Sequence, residues 1–547
     1  MKTISMRKLI AAIGAAALLS TAAVAIAPSA YAAAPTCSTA SDGIETCKGT
    51  LSNGAGYLIK VPAKYNGTFF YWNHGIRFTY PLPGVITVPK GVEELTPTSA
   101  STGLNIDTEM LRAGYGLATF DRVSPGGIRG WNTVDGVEML KELIDTVKAK
   151  YTVEKGVVYG SSLAGSILTP FIEKYPTYAD AVGHMADLTP SPSQSLQSLC
   201  DYFYILSVFA DPTIKGCAAF GVKGLAGHYA AAAEFGKVVA LLTAWGGNLG
   251  APGLEYPAAL KGSGIPQRSA LLLAGLLIGL PTKSAHMDGI TTSVVIAEQS
   301  INATVAILEN SGEALATGTF AGQAVSEITG PGFYDNTKTN WFSLLDPADS
   351  GRYNLGLSGD GAIDAMLGVL SMAPRVTGDA AAVAKFKALD QSKFTSTKPV
   401  VLLANEADRL VFSGNSALFV DRARAIYDAK LATYEAARDS AATSAERAAA
   451  TKLKPVWNVV SLYAMTPETY TKYTAAGLPD FTAPASPSGV GHQSFTKKQM
   501  MAWVKILAHA AKTGKVGTPV FLQQYIKTAP YLNSDLDYRP ADLKYNW

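Results

Sequence analysis

Val157-Val158-Tyr159-Gly160-Ser161-Ser162-Leu163-Ala164-Gly165 is the stretch on which the fold turns. An apolar run ends in a glycine, a serine follows two residues later, and small residues open the next, helical stretch. That order reads as a buried strand turning sharply into a helix, which exposes the Ser162 hydroxyl and lets backbone approach it closely. Ser161 is the rival for the same place, disfavoured because Gly160 directly precedes it. The competing structural explanation is that Ser162 only caps the following helix.

Outward from this turn, Gly56 to Val61 (GYLIKV) and Gly67 to Trp72 (GTFFYW) read as strands, the second running into Asn73-His74-Gly75. Met110 to Ala113 reads as helix, Tyr115 to Phe120 as strand, and Asp121-Arg122 as the start of a loop organised by an ion pair between the two. Val134 to Lys150 has apolar residues at helical spacing, while Val182 to Met185 and Lys398 to Ala404 (KPVVLLA) are further buried strands. The alternation predicts an α/β fold, a mostly parallel sheet with covering helices. Residues 187–390, rich in Ala, Gly and Leu, break the rhythm and are expected to form a largely helical cap over the carboxyl ends of the strands, where open α/β sheets bind ligands. The expected division is therefore an export signal at 1–32, core at 33–186, cap at 187–390 and core again at 391–547, with an additional exposed helical segment around 419–451. Ala270 to Leu280, closed by Pro281, is too short to span a bilayer and reads as a buried cap helix or one lining an apolar pocket.

The turn at Ser162 closely resembles the nucleophile elbow of the α/β-hydrolase family, with Ala164 where the usual G-x-S-x-G pattern has its second glycine and Gly165 adjacent. The resemblance spans roughly Gly56 to Met185 and Lys398 to Thr513, and it implies a secreted, esterase-like serine hydrolase with a large cap. It assigns the nucleophile to Ser162. Of the six histidines, His492 lies in Gly489-Val490-Gly491-His492-Gln493-Ser494-Phe495, matching the late loop that carries the family's general base. His509 reads as a packing or surface residue, and His228 and His286, in the cap, as candidates to touch substrate. Asp408, four residues beyond the Lys398 to Ala404 strand, matches the family's triad acid, with Glu406 and Asp187 as alternatives. The order Ser162, Asp408, His492 is the family's order. His74 and Gly75 resemble its early loop-positioning HG pair, which implies Ile76 N–H and Leu163 N–H as oxyanion donors.

The remaining composition narrows the function classes. The chain has 547 residues with 48% hydrophobic and 16% charged, a globular composition, and its 46 Lys and Arg against 43 Asp and Glu leave a net charge of +3. So small an excess, without a basic run, argues against nucleic-acid binding. Lys2, Arg7 and Lys8, the apolar run from Leu9 to Ile26 and Ala30-Tyr31-Ala32 predict an export signal cleaved near Ala32, giving a secreted or periplasmic protein without stable membrane insertion. Ala34-Pro35-Thr36 before Cys37 does not resemble a lipobox. In an oxidising compartment the four cysteines pair most simply as Cys37–Cys47 and Cys200–Cys217. No pattern calls for a metal or a cofactor. The expected reaction is hydrolysis of a small or oligomeric neutral carboxylic ester through an acyl-enzyme. An exported peptidase or amidase of the same fold and a noncatalytic binding protein are the alternatives.

Overall fold

The computed structural model describes residues 35–124, 127–247, 262–292, 301–486 and 488–544. The expected export signal lies outside the described residues. Nine strands form one sheet in the order β1-β2-β3-β5-β4-β6-β7-β8-β9. They are β1 (Thr36–Thr39), β2 (Glu45–Thr50), β3 (Gly56–Val61), β4 (Thr68–Asn73), β5 (Gly116–Phe120), β6 (Lys155–Ser162), β7 (Ala181–Asp187), β8 (Val400–Asn405) and β9 (Val459–Ala464). The first three strands and the β3–β5 contact are antiparallel, and from β5 to β9 every neighbour is parallel. This mostly parallel sheet, flanked by helices and interrupted by a long helical insertion, is an α/β-hydrolase-type architecture.

The inner strands are buried along nearly their whole length because both sheet faces are covered, which is why TFFYWN and VVLLAN are continuous apolar runs without alternation. On one face lie α2 (Thr133–Lys150) and α3 (Gly165–Lys174), whose Leu140, Leu143, Ile144, Ile167 and Phe171 pack with Tyr71 and Val158. The other face carries α1 (Asp107–Arg112), α14 (Lys497–Thr513) and α15 (Pro519–Ile526), where Trp503 and Leu507 pack on Tyr159 and Leu403. Gly183 leaves room for that packing, since a Cβ there would come within 2.7 Å of Trp503.

Between β7 and β8 run α4 (Pro192–Phe209), α5 (Gly224–Gly247), α6 (Gln267–Ile278), α7 (Ile301–Thr329), α8 (Trp341–Leu344), α9 (Pro347–Arg352), α10 (Asp360–Met372) and α11 (Ala380–Lys387). They share an apolar core of their own, with α4 and α6 buried almost all round. A disulfide joins Cys200 of α4 to Cys217, and another joins Cys37 to Cys47 across β1 and β2. The segment after β8 forms two helices, α12 (Gly414–Ser440) and α13 (Ser444–Lys452), most of whose residues beyond Phe419 are exposed. No helix among the described residues is long and apolar enough to cross a membrane.

Candidate active site

β6 ends at Ser162, which takes the left-handed backbone conformation (φ 57°), and α3 begins at Gly165. The register against β7 slips between Ser161 and Ser162, so the chain leaves the sheet where the serine stands. Two glycines permit the turn. A Cβ on Gly160 would lie 2.6 Å from the Asn73 carbonyl oxygen and 2.7 Å from the Ala164 Cβ, and a Cβ on Gly165 would lie 2.5 Å from Asp187 Oδ1. The second tight position is therefore Gly165, which explains how Ala164 can stand where the family pattern has glycine. Ser161, fully buried with its hydroxyl unpartnered among the described residues, is turned away from the surface that Ser162 reaches.

His492 and Asp408 meet. The carboxylate can only accept, so His492 Nδ1–H donates to Asp408 Oδ2 at 2.9 Å and the ring presents a lone pair on Nε2. Asp408 is 0% exposed, and its other oxygen accepts the N–H groups of Leu410 (2.9 Å) and Val411 (3.0 Å). The loops carrying the pair are stitched together: Ala407 N–H donates to Gly489 O and Gly491 N–H to Ala407 O. Gly489 must be glycine here, since its φ is +77° and a Cβ would meet the Met465–Thr466 peptide.

The alternatives to Asp408 are engaged elsewhere. Glu406 pairs with Lys283 at 2.6 Å and accepts from the Thr466 amide and hydroxyl. Asp187 forms a buried pair with His184 Nδ1 and accepts from Thr189 N–H. His509 stacks on Phe521. In the cap, His228 packs on Tyr80 and Phe320 with its Nε2 at 3.1 Å from Pro81 O, while His286 pairs with Glu309 at 2.7 Å. Both are occupied by internal contacts.

Gly75 lies against Ser162: a Cβ on it would be 3.0 Å from Ser162 Cβ and 3.4 Å from Ser162 Oγ. His74 is neutral, because burial and the nearby Arg122 and Arg77 hold its pKa well below the ordinary value. Its Nδ1–H donates to Gly75 O and its Nε2 accepts the Arg122 N–H at 2.9 Å. The expected Asp121–Arg122 ion pair is not formed. Asp121 pairs with Arg129 instead (2.6 Å), and the buried Arg122 guanidinium donates to the carbonyls of His74 and Gly75, both at 2.8 Å. The physical reason is direction: consecutive residues leaving a strand point opposite ways, so neighbours in sequence do not face each other.

Burial pulls the Arg122 pKa down to about 9, which leaves the group charged at neutral pH. Because a trans peptide sets its N–H antiparallel to its C=O, the anchoring of Gly75 O by Arg122 turns Ile76 N–H the other way. Ile76 N–H and Leu163 N–H have no acceptor among the described residues. Ile76 and Leu163, with Phe78 and Leu188, pack into the apolar core of the cap, and Phe78 meets Phe320 of α7.

Two contacts escape sequence reasoning. Arg122 carries no signal that separates a buried anchor from a surface arginine. Gln493 is the other: its Nε2 lies 3.1 Å from His492 Nε2, and no hydrogen bond joins Ser162 Oγ to His492.

No protein-family model and no curated protein matches the chain. Among solved structures, it is similar to the ligand-bound rice cell wall degrading esterase LipA from Xanthomonas oryzae, at 11% identity and TM-score 0.29 over 72% of this chain and 88% of that one. It is similar to feruloyl esterase B from Aspergillus oryzae, at 12% identity and TM-score 0.28 over 73% and 76%. A prolyl endopeptidase structure is matched at 12% identity and TM-score 0.20 over 27% of this chain, which spans 22% of that one. The chain likewise spans 21% of a putative dipeptidyl aminopeptidase IV from Bacteroides ovatus, with 16% identity and TM-score 0.20 over 28% of this chain. Likeness at these levels identifies neither family nor activity, and the α/β-hydrolase-like fold rests on the chain's own strand order and crossovers.

Proposed function

We propose that this protein is an exported serine hydrolase that cleaves carboxylic esters with neutral, apolar acyl groups. The observation that carries the reading is the convergence of the Ser162 turn, the His492–Asp408 pair and the Gly75 loop at the carboxyl ends of β6, β8 and β4. Ser162 Oγ attacks the ester carbonyl while its proton passes to His492 Nε2, and Asp408 stabilises the imidazolium. The tetrahedral oxyanion takes hydrogen bonds from Ile76 N–H and Leu163 N–H. Its collapse breaks the bond to the alcohol oxygen, which leaves with the proton from His492. Water then gives up a proton to His492 as it adds to the acyl carbon, and Ser162 recovers that proton as the acid departs.

The apolar side chains beside the turn support a neutral acyl group. So does the commitment of nearby charges to internal pairs, Arg77 with Glu94, Arg129 with Asp121 and Arg409 with Glu313, which leaves none of these three cations to anchor a peptide terminus. The two disulfides support export. Hydrolysis of p-nitrophenyl esters of increasing acyl length, run beside the matching p-nitroanilides, tests the reading. Ester turnover that vanishes in Ser162→Ala, whose circular dichroism stays unchanged, is expected. Equal turnover by that variant, or turnover of anilides alone, contradicts the reading.

A further inference from the structure

Gln493 stands directly after the proposed base and occupies the atom that base would use. With Nδ1–H committed to Asp408, His492 has one acceptor left, the Nε2 lone pair, and the Gln493 carboxamide donates to it at 3.1 Å. A single lone pair serves one donor well, so the serine hydroxyl and the carboxamide compete for it. Both competitors border one glycine: a Cβ on Gly75 would be 3.4 Å from Ser162 Oγ and 3.6 Å from Gln493 Nε2. The Gln493 backbone is fixed independently of its side chain, held at φ 57° with its carbonyl accepting the Ala100 N–H at 3.0 Å. The side chain is partly exposed, so it can swing while the backbone and the His492–Asp408 bond stay in place.

We propose that Gln493 is a positioning residue that gates the general base: it holds His492 Nε2 in the free protein and yields it to Ser162 when an acyl group fills the cleft beside Gly75. The proposal rests on the serine-hydrolase reading above. Freeing Nε2 breaks one hydrogen bond, so the gate sets part of the barrier to serine activation.

The test is time-dependent inactivation of the full-length protein by a small fluorophosphonate, resolving the binding constant KI from the maximal rate kinact. Gln493→Met keeps the side chain's length without its N–H donors, and Gln493→Ala removes both. Both variants are expected to raise kinact by roughly three- to tenfold, the worth of one net hydrogen bond, with KI little changed. The 15N resonance of His492 Nε2 should move in Gln493→Met toward that of an imidazole nitrogen without a donor. Wild-type labelling with no acceleration in either variant overturns the gate while leaving the hydrolase reading standing. Acceleration in Gln493→Ala alone also overturns it, since that marks mere widening of the cleft. Absence of labelling in wild type and both variants removes the hydrolase reading and the gate together.

Discussion

Ser162 and Gln493 share a left-handed backbone (both φ 57°), and their side chains border the same glycine. A non-glycine residue held there costs about 1–3 kcal/mol, so the surrounding packing fixes both. Asp408→Asn should lower kcat by about 10⁴ because the amide favours the wrong histidine tautomer, whereas Glu406→Gln and Asp187→Asn should not approach that loss in steady-state ester hydrolysis. Arg122→Met should lower kcat by roughly 10²-fold, the scale of losing one oxyanion donor, with a much smaller change in KM, since the Gly75–Ile76 peptide loses the anchor that aims it. An unchanged kcat would show that Ile76 N–H needs no such anchor. Ser162, Asp408 and His492 stand out as candidates in sequence because the strand endings and turns that carry them resemble the α/β-hydrolase pattern. Arg122 and Gln493 cannot, because their partners are backbone carbonyls and a neighbouring ring, contacts that exist only once three loops have met.

Between elements, ion pairs tie the cap to the core beside the Asp408 loop. Arg409 pairs with Glu313 of α7, and Lys283 with Glu406, so the cap is fastened to the residues flanking Asp408. His286 and Glu309 form a third pair, within the cap. The His286 pKa is raised above 6.5, first by its hydrogen bond to Glu309 and further by the Ala483 carbonyl and the nearby Asp480, against the opposing effect of burial. For Glu309, burial acts upward, but hydrogen bonds from His286 and Ser284 and the nearby Arg409 hold the carboxyl below its usual range. A raised histidine pKa stabilises the fold fully below the unfolded value of 6.5 and loses that contribution as pH climbs through the raised value. Glu309 stays ionised throughout this window. The pair therefore adds stability at pH 6 that is lost by pH 8.5, so in urea unfolding His286→Gln should lose more stability relative to wild type at pH 6 than at pH 8.5; an equal loss at the two pH values would show that the pair is not coupled to folding. In this region the apolar run of α6 is legible in sequence, but the ion pair is not, since Glu309 and His286 carry no local pattern that points each to the other.

Across the whole molecule, the parallel run from β5 through β8 is the best-signalled part of the sequence, because strands buried on both faces must be apolar throughout. The strand β1 escapes notice because all its residues are exposed and it is held by Cys37 lying opposite Cys47 in the β1–β2 register. The strand β9 escapes because its run is short and broken by Ser461. The near disulfide pairings are legible from spacing, while the packing of cap helices on Ile76, Phe78 and Leu163 follows from tertiary contacts alone. Activation of one serine by this architecture is tested by intact-protein and peptide mass spectrometry after exposure to a small fluorophosphonate. A single adduct on Ser162, absent in Ser162→Ala and greatly slowed in His492→Ala, is expected. An adduct on another residue, or none on a folded wild-type protein, would contradict it.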